Sequence, residues 1–174
     1  MIILGIDPGS RTTGFGFILN HANRLEYIAS GNIRVSGDSL PQRLGFIFNE
    51  IEKVIEIHQP QQMSIENVFM ARNPDSALKL GQARGAAICA AYRAGLEIAE
   101  YAPREIKQAI VGSGAASKAQ VQHMVKRLLG IRQELQADEA DGLAIAICHA
   151  QFYAMRQKTG IDASLLKRRR SSRR

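Results

Sequence analysis

The opening stretch of the chain, residues 2–10, constrains the fold more than any other part of the sequence. An apolar run over residues 2–6 is followed by Asp7 and then by Pro8 and Gly9, which turn the chain. A short apolar run bounded by turn residues is typical of a strand that is buried on both faces, at the centre of a sheet. A carboxylate at the end of such a strand needs a cation, a hydrogen-bond donor or a metal, because burying an unpaired charge is costly. We therefore predict a metal or phosphate site at Asp7, and the alternative is an aspartate that caps the turn.

Length and charge indicate one domain with a basic end. The chain has 174 residues, enough for a single hydrophobic core, and a net charge of +7. The last fourteen residues contain six basic side chains and one acid, so we predict a domain over residues 1–158 and a basic, disordered tail over residues 159–174. The sequence lacks an apolar run of about 18 residues and a leader-like N-terminus, which predicts a soluble, cytoplasmic protein that does not enter a membrane.

Hydrophobic periodicity and turn residues predict an α/β fold with a five-stranded mixed sheet. The first three strands form an antiparallel meander, and strand–helix–strand crossovers add the other two strands parallel to the first, with helices flanking the sheet. The predicted strands are residues 2–7, 12–20, 24–35, 62–66 and 97–102. The predicted helices are residues 40–58, 76–94, 103–111, 118–129 and 137–158.

Glycines, cysteines and histidines in these elements lead to further expectations. Gly14 and Gly16 in the second strand indicate that another part of the protein approaches its backbone closely. The helix over residues 76–94 is rich in alanine and glycine, which permits close packing against either the sheet or a second copy of the chain. We expect Cys89 and Cys148 to be buried free thiols, because they lie in apolar helical patterns without a C-x-x-C motif. The histidines are expected to be structural.

Three further carboxylates can reach the sheet edge that carries Asp7. Glu66 ends the fourth strand, and the carboxyl ends of parallel strands lie at one edge of a sheet. Asp138 and Asp141 open the last helix on one face, although acids at a helix start also suit its dipole, which is the alternative. Four carboxylates at one edge would repel each other without cations. Oxygen ligands suit Mg²⁺ or Mn²⁺, and two such ions can hold the attacking and leaving oxygens of a phosphodiester.

Four stretches of sequence, in a fixed order, span nearly the whole domain. They are GIDPGSRTTGFG at residues 5–16, IENVFMARNPDSALKLGQARG at 65–85, PREIKQAIVGSGAASKAQV at 103–121 and ADEADGLAIAICH at 137–149. Together with the order of the elements, they resemble the ribonuclease H-like nucleases and, within these, the RuvC family of Holliday junction resolvases. The resemblance implies a metal-dependent endonuclease that cuts two strands symmetrically across a four-way DNA junction during recombination and repair.

The resemblance also implies a cofactor, partners and residue roles. The implied cofactor is Mg²⁺, with Mn²⁺ as a substitute and two ions per site. The implied partners are junction DNA, a second copy of the chain and a branch-migration helicase complex of RuvA and RuvB. The residues that match the family's metal-binding catalytic acids are Asp7, Glu66, Asp138 and Asp141. The residues implied in DNA contacts are Lys107 and Lys118 at phosphates, Phe69 stacked on a base, and Arg72. For Phe69 the alternative is a small hydrophobic cluster with its loop neighbours.

Two rival functions stay open at this point. A strand followed by Asp-x-Gly-Ser also cradles ATP phosphates in sugar kinases and actin-like ATPases, but those proteins need a second nucleotide-binding half. A non-catalytic DNA-binding module would use the basic tail and the segment over residues 101–133, which has six basic residues and one acid. That function leaves the four carboxylates unexplained and predicts no dependence on metal.

Overall fold

The computed structural model describes residues 1–21, 24–67 and 74–159. The strands are β1 (Ile2–Asp7), β2 (Thr12–His21), β3 (Arg24–Arg34), β4 (Gln62–Glu66) and β5 (Glu97–Tyr101). The helices are α1 (Leu40–His58), α2 (Pro74–Arg93), α3 (Pro103–Val111), α4 (Lys118–Leu129) and α5 (Ala137–Thr159). The predicted α/β fold is confirmed, and each boundary lies within two residues of its predicted position. Residues 160–174 are outside the described ranges, so the basic tail and the domain boundary stay predictions.

The sheet places β1 at its centre. Its strand order is β3-β2-β1-β4-β5, with β1, β2 and β3 antiparallel and with β4 and β5 parallel to β1. Asp7 pairs with Gly14 across the antiparallel ladder, and Ile6 pairs with Ile65 across the parallel one. Asp7 and Glu66 therefore end neighbouring strands at the same edge, as the sequence predicts.

Alternate residues of β1 face two separate hydrophobic cores, as the pleat of a strand requires. Ile3 packs into the core formed with α3, α4 and α5, whereas Leu4 packs into the core formed with α1 and α2. Helix α5 lies at the centre of its layer, and each of its residues 143–148 is at most 2 % exposed. Within the described ranges, we find no helix that is long and apolar enough to cross a membrane.

Helix α5 lies against the backbones of β1 and β2 because glycines leave room for it. A Cβ atom at Gly5 would stand 2.1 Å from the carbonyl oxygen of Gly142, and one at Gly14 would stand 2.0 Å from the carbonyl oxygen of Asp138. A Cβ atom at Gly16 would stand 2.6 Å from the side chain of Leu143. The close approach that the sequence predicts at Gly14 and Gly16 is thus confirmed, and α5 is the element that makes it.

The small residues of α2 divide between two environments. The buried ones, which pack toward the sheet and α1, are Ala83, Ala87, Ala90 and Ala91. Gly81 and Gly85 lie on another face, where an added Cβ atom would meet nothing within 4 Å. Packing toward the sheet and α1 therefore explains the alanines of this helix. It does not explain the glycines.

The buried cysteine and histidine of α5 match expectation, and the cysteine of α2 does not. Cys148 is buried, but Cys89 is exposed, because the face of α2 that packs on the sheet is its alanine face. His149 is 4 % exposed, and its Nδ1 lies 2.8 Å from the Tyr101 hydroxyl and its Nε2 2.8 Å from Oε1 of Gln62. Burial lowers the pKa of His149 to about 4, so the ring is neutral at pH 7 and structural, as predicted.

Replacing Gly14 by alanine tests the contact between α5 and the sheet. We expect Gly14→Ala to lower the free energy of unfolding by roughly 1–3 kcal/mol, because the added methyl group displaces the first turn of α5. The control is Gly45→Ala on α1, where an added Cβ atom meets nothing within 4 Å and a helix should gain about 0.5–1 kcal/mol. Urea unfolding of both variants measures the difference. Equal stability of Gly14→Ala and the wild type would contradict the close contact.

Candidate functional site

The turn after Asp7 is held by side chains from other positions. The hydroxyl of Thr13 accepts from the Gly9 N–H at 3.3 Å and lies 3.1 Å from the Gly9 carbonyl oxygen, to which it donates. The guanidinium of Arg43 donates to the carbonyl oxygen of Ser10. Because these contacts fix the turn, the Asp7 carboxylate is available for another partner, which favours a cation site over a turn cap.

Three carboxylates meet at the end of β1. One carboxylate oxygen from each of Asp7, Asp138 and Asp141 lies within 4.8 Å of the other two, and all three residues are half-buried. Asp138 reaches this place because its carbonyl lies over Gly14, the residue paired with Asp7. Asp141 follows one turn later on the same face of α5. The structure therefore brings together three of the four carboxylates predicted to hold metal; we call them the aspartate cluster.

Glu66, the fourth predicted acid, lies beside the aspartate cluster and outside it. Burial raises the pKa of Glu66, and the charge of Asp141 raises it further, while Lys118 and Lys107 oppose the rise. Its carboxylate is therefore close enough to interact with the cluster and with both predicted phosphate-contacting lysines. The sequence predicted the common edge, but not that Glu66 would stand apart.

The carboxylates fit a divalent cation. Burial raises the pKa of Asp7 to about 7, and the charges of Glu66 and Asp141 contribute to the rise. Such a shift shows that negative charge at this place is unfavourable without a compensating cation. Carboxylate oxygens are the ligands that Mg²⁺ and Mn²⁺ prefer. The site thus combines the ligand chemistry of these ions with a charge that they would neutralise.

Lys118 lies at the rim of the aspartate cluster. Its Nζ atom is 3.4 Å from Oδ2 of Asp141, which raises the pKa of the lysine, and its side chain is 82 % exposed. Ser117 caps α4 directly before it, with its hydroxyl oxygen accepting from the Gln120 N–H at 3.3 Å. An ammonium group that is both exposed and next to the carboxylates can contact a phosphate that enters the site.

Gln108, a residue not predicted from the sequence, holds the loop that leads to Lys118. Its Nε2 donates to the carbonyl oxygen of Gly112 at 2.7 Å, and its Oε1 accepts from the Gly114 N–H at 3.1 Å. A single glutamine therefore ties the glycine-rich loop back to α3. No periodicity or motif marks this residue, because its role depends on how the loop folds.

Phe69 and Arg72 lie outside the described residues, so their predicted DNA contacts stay predictions. The other predicted DNA contacts, Lys107 and Lys118, come from α3 and α4, which pack on the same face of the sheet as α5.

The model of the family described as crossover junction endodeoxyribonuclease RuvC matches residues 3–149. The chain belongs to the RuvC family. This RuvC-family chain is 59 % identical over 149 residues to the crossover junction endodeoxyribonuclease RuvC of Psychromonas ingrahamii, with 86 % of each chain covered. It is similar to the structure of Thermus thermophilus RuvC, with a TM-score of 0.81, 32 % identity, and 89 % of this chain and 96 % of that chain covered. The Thermus RuvC structure in complex with a Holliday junction substrate matches it with a TM-score of 0.82 at the same identity and coverage. These similarities confirm the predicted ribonuclease H-like fold.

Removing the charge of Asp7 should stabilise the metal-free protein. The folded-state pKa of Asp7, about 7, is above its ordinary value of 3.8, so the wild type loses stability as the pH rises from about 4 to 7. We expect Asp7→Asn to be more stable than the wild type at pH 8, by on the order of 2 kcal/mol, and equally stable below pH 4. Urea unfolding in EDTA across this pH range measures the difference.

Glu56→Gln, on the exposed face of α1, is the matched control and should show no gain at pH 8. With Mg²⁺ the order should reverse, because the wild type gains binding energy that the variant lacks. An Asp7→Asn protein that is less stable than the wild type in EDTA at pH 8 would contradict the cost of burying the Asp7 charge beside the other carboxylates.

Proposed function

We propose that this chain is a metal-dependent endonuclease that resolves four-way DNA junctions by paired incision of two strands in recombination and repair. The observation that carries the proposal is the aspartate cluster with Lys118 at its rim, in a chain of the RuvC family. The Thermus relative in complex with a Holliday junction substrate supports the choice of DNA. Family membership favours this function over an ATPase, and the cluster favours it over a non-catalytic DNA-binding module.

Asp7, Glu66, Asp138 and Asp141 are the proposed ligands of Mg²⁺, or of Mn²⁺ in its place, as two ions per site. When bound, such ions would supply Lewis-acid chemistry for activating the attacking water and stabilising the leaving 3′-oxygen. The protein contributes the orientation of the carboxylates, which the packing of α5 on the sheet fixes for Asp138 and Asp141. It also contributes Lys118, whose ammonium can hold an oxygen of the scissile phosphate and offset charge that develops there.

The DNA would lie along α3 and α4, beside the aspartate cluster. The basic residues of the segment over residues 101–133, which contains both helices, are Arg104, Lys107, Lys118, Lys126, Arg127 and Arg132. Lys126 pairs with Glu134 at 3.5 Å, and Arg104, Arg127 and Arg132 are exposed. Such a surface suits contacts to phosphates, which position DNA without reading its sequence. Phe69 is proposed to stack on an unpaired base at the junction centre, with Arg72 as a further DNA contact.

Symmetric incision needs two sites, and we assign the dimer interface to α2. Its outward-facing stripe consists of Leu78, Gly81, Gly85, Cys89 and Tyr92, with Leu78 62 % and Tyr92 79 % exposed. The stripe is symmetric in sequence about Gly85, with steps of four and three residues on either side. In an antiparallel pair of α2 helices on a two-fold axis at Gly85, Leu78 would meet Tyr92 of the partner subunit. The glycines would let the two helices approach closely.

Two further proposals follow from the family. A resolvase must be delivered to a junction that has been moved to its cleavage position, so RuvA and RuvB are the proposed helicase partners. A protein that acts on chromosomal DNA would lie in the cytoplasm. This location is expected from the sequence and stays a prediction.

Loss of one carboxylate should separate cleavage from binding. We expect Asp7→Asn and Asp141→Asn each to slow junction cleavage by more than about 100-fold, which exceeds the usual effect of losing an outer partner of a metal site. Junction affinity should stay equal or rise, because a site with one carboxylate charge fewer repels the DNA phosphates less. The assay compares labelled four-way and linear DNA with and without Mg²⁺. Equal loss of binding and cleavage in folded variants, or cleavage in EDTA, would contradict the proposal.

The lysines should contribute to both cleavage and electrostatic binding. We expect Lys107→Ala and Lys118→Ala to slow cleavage, and each lost phosphate contact to reduce the salt slope of junction binding by about one. The control is Lys53→Ala on α1, on the opposite face of the sheet, which should change neither quantity. Unchanged salt slopes for both α3 and α4 variants would contradict the proposed DNA path.

A charge at the proposed two-fold axis should prevent dimer formation. Gly85→Glu places two like charges together in a dimer, so we expect a folded monomer in sedimentation equilibrium and no paired incision. Gly45→Glu on α1 is the matched control, because it also adds a glutamate at an open helix position. A dimeric Gly85→Glu protein, or a wild type that is monomeric at micromolar concentration yet cuts both strands, would contradict the assignment.

A further inference from the structure

The guanidinium of Arg84 holds the end of β4, where the chain leaves Glu66. Its Nε donates to the carbonyl oxygen of Glu66 at 3.0 Å, and its Nη2 donates to Oδ1 of Asn67 at 3.1 Å. The same Nη2 contacts the Glu100 carboxylate on β5 as an ion pair. The Arg84 side chain is 18 % exposed, so water competes little with these contacts. Arg84 thus joins α2 to the ends of two strands.

The other side of the same segment is held by the sheet. The Asn67 N–H donates to the carbonyl oxygen of Tyr101 at 2.8 Å, which extends the ladder between β4 and β5 by one residue. Glu66 and Asn67 are therefore fixed from both sides before the chain continues toward α2. The backbone of Glu66 determines the direction in which its carboxylate leaves the strand.

Glu66 needs such a support more than the aspartates do. Asp138 and Asp141 are placed by the packing of α5 on the glycines of the sheet, and Asp7 lies at the end of the central strand. Glu66 lies outside the aspartate cluster, although its charge raises the pKa of Asp7. The backbone direction at Glu66 therefore affects whether its carboxylate reaches a cation held by the aspartates.

We propose that Arg84 is a positioning residue, which fixes the end of β4 so that the Glu66 carboxylate is directed toward the metal held by the aspartate cluster. The inference rests on the proposed function, in which Glu66 is a metal ligand. The rigid fork of the guanidinium is essential to this role, because Nε and Nη2 donate to different groups at the same time. A lysine keeps the charge but cannot reproduce that geometry.

The test compares Arg84→Lys with Glu100→Gln. Arg84→Lys keeps the charge opposite Glu100 and loses the fork, whereas Glu100→Gln removes the ion pair and leaves both contacts to the end of β4. We expect Arg84→Lys to weaken Mn²⁺ binding by about 10-fold in titration calorimetry without DNA, as loss of an outer partner of a metal site does. Cleavage should slow, with junction affinity unchanged. Glu100→Gln should stay within about 2-fold of the wild type, since the half-exposed ion pair contributes little.

A double variant separates positioning from a general effect on folding. In a Glu66→Gln background, Arg84→Lys should cause no further loss of Mn²⁺ affinity, because no carboxylate is left to position. Wild-type Mn²⁺ affinity in Arg84→Lys, together with reduced affinity in Glu66→Gln, would overturn the role of Arg84 alone. An equal loss in both backgrounds would also overturn it. Wild-type Mn²⁺ affinity in Glu66→Gln would instead overturn the role of Glu66 as a ligand, and this inference with it.

Discussion

Helix α5 lies so close to β1 and β2 that its backbone occupies the space where side chains would otherwise stand. Glycines on both sides make this contact: Gly5, Gly14 and Gly16 on the strands and Gly142 on the helix. The contact determines the height of α5 above the sheet, and the helix fills the centre of the larger core. It also determines the position of the first turn of α5, in which Asp138 lies directly over Gly14, the residue that pairs with Asp7. The fold and the candidate site thus depend on the same close contact between α5 and the sheet.

The site combines features that would separately destabilise a folded protein. The Asp7 carboxylate is half-buried, and its burial, together with repulsion from the neighbouring carboxylates, raises its pKa. Large hydrophobic cores on both faces of the sheet can offset such a cost, and so can a bound cation. Lys118 is too exposed to neutralise the cluster alone, which leaves its ammonium available to a phosphate. Repulsion between the carboxylates without a cation and a ligand set that suits a divalent cation are therefore two results of one arrangement.

Much of this arrangement follows from the sequence, because strand ends and glycines have strong geometric consequences. Asp7 and Glu66 could be placed at one edge from the parallel connection, and the close approach at Gly14 and Gly16 from the absence of side chains. The exposed position of Cys89 could not be predicted, because it depends on which face of α2 packs on the sheet. The separation of Glu66 from the aspartates could not be predicted either, because it depends on side-chain directions after packing. Arg84 and Gln108 form their contacts only in the folded chain.

We infer that packing of α5 on the sheet assembles a cation site from Asp7, Asp138 and Asp141. The most direct measurement is a crystal structure of the protein soaked with Mn²⁺, with anomalous scattering recorded to locate the ion. We expect an anomalous peak within about 2.0–2.6 Å of carboxylate oxygens from these aspartates. An Mn²⁺-free cluster at saturating concentration, or Asp138 and Asp141 directed away from Asp7, would contradict it.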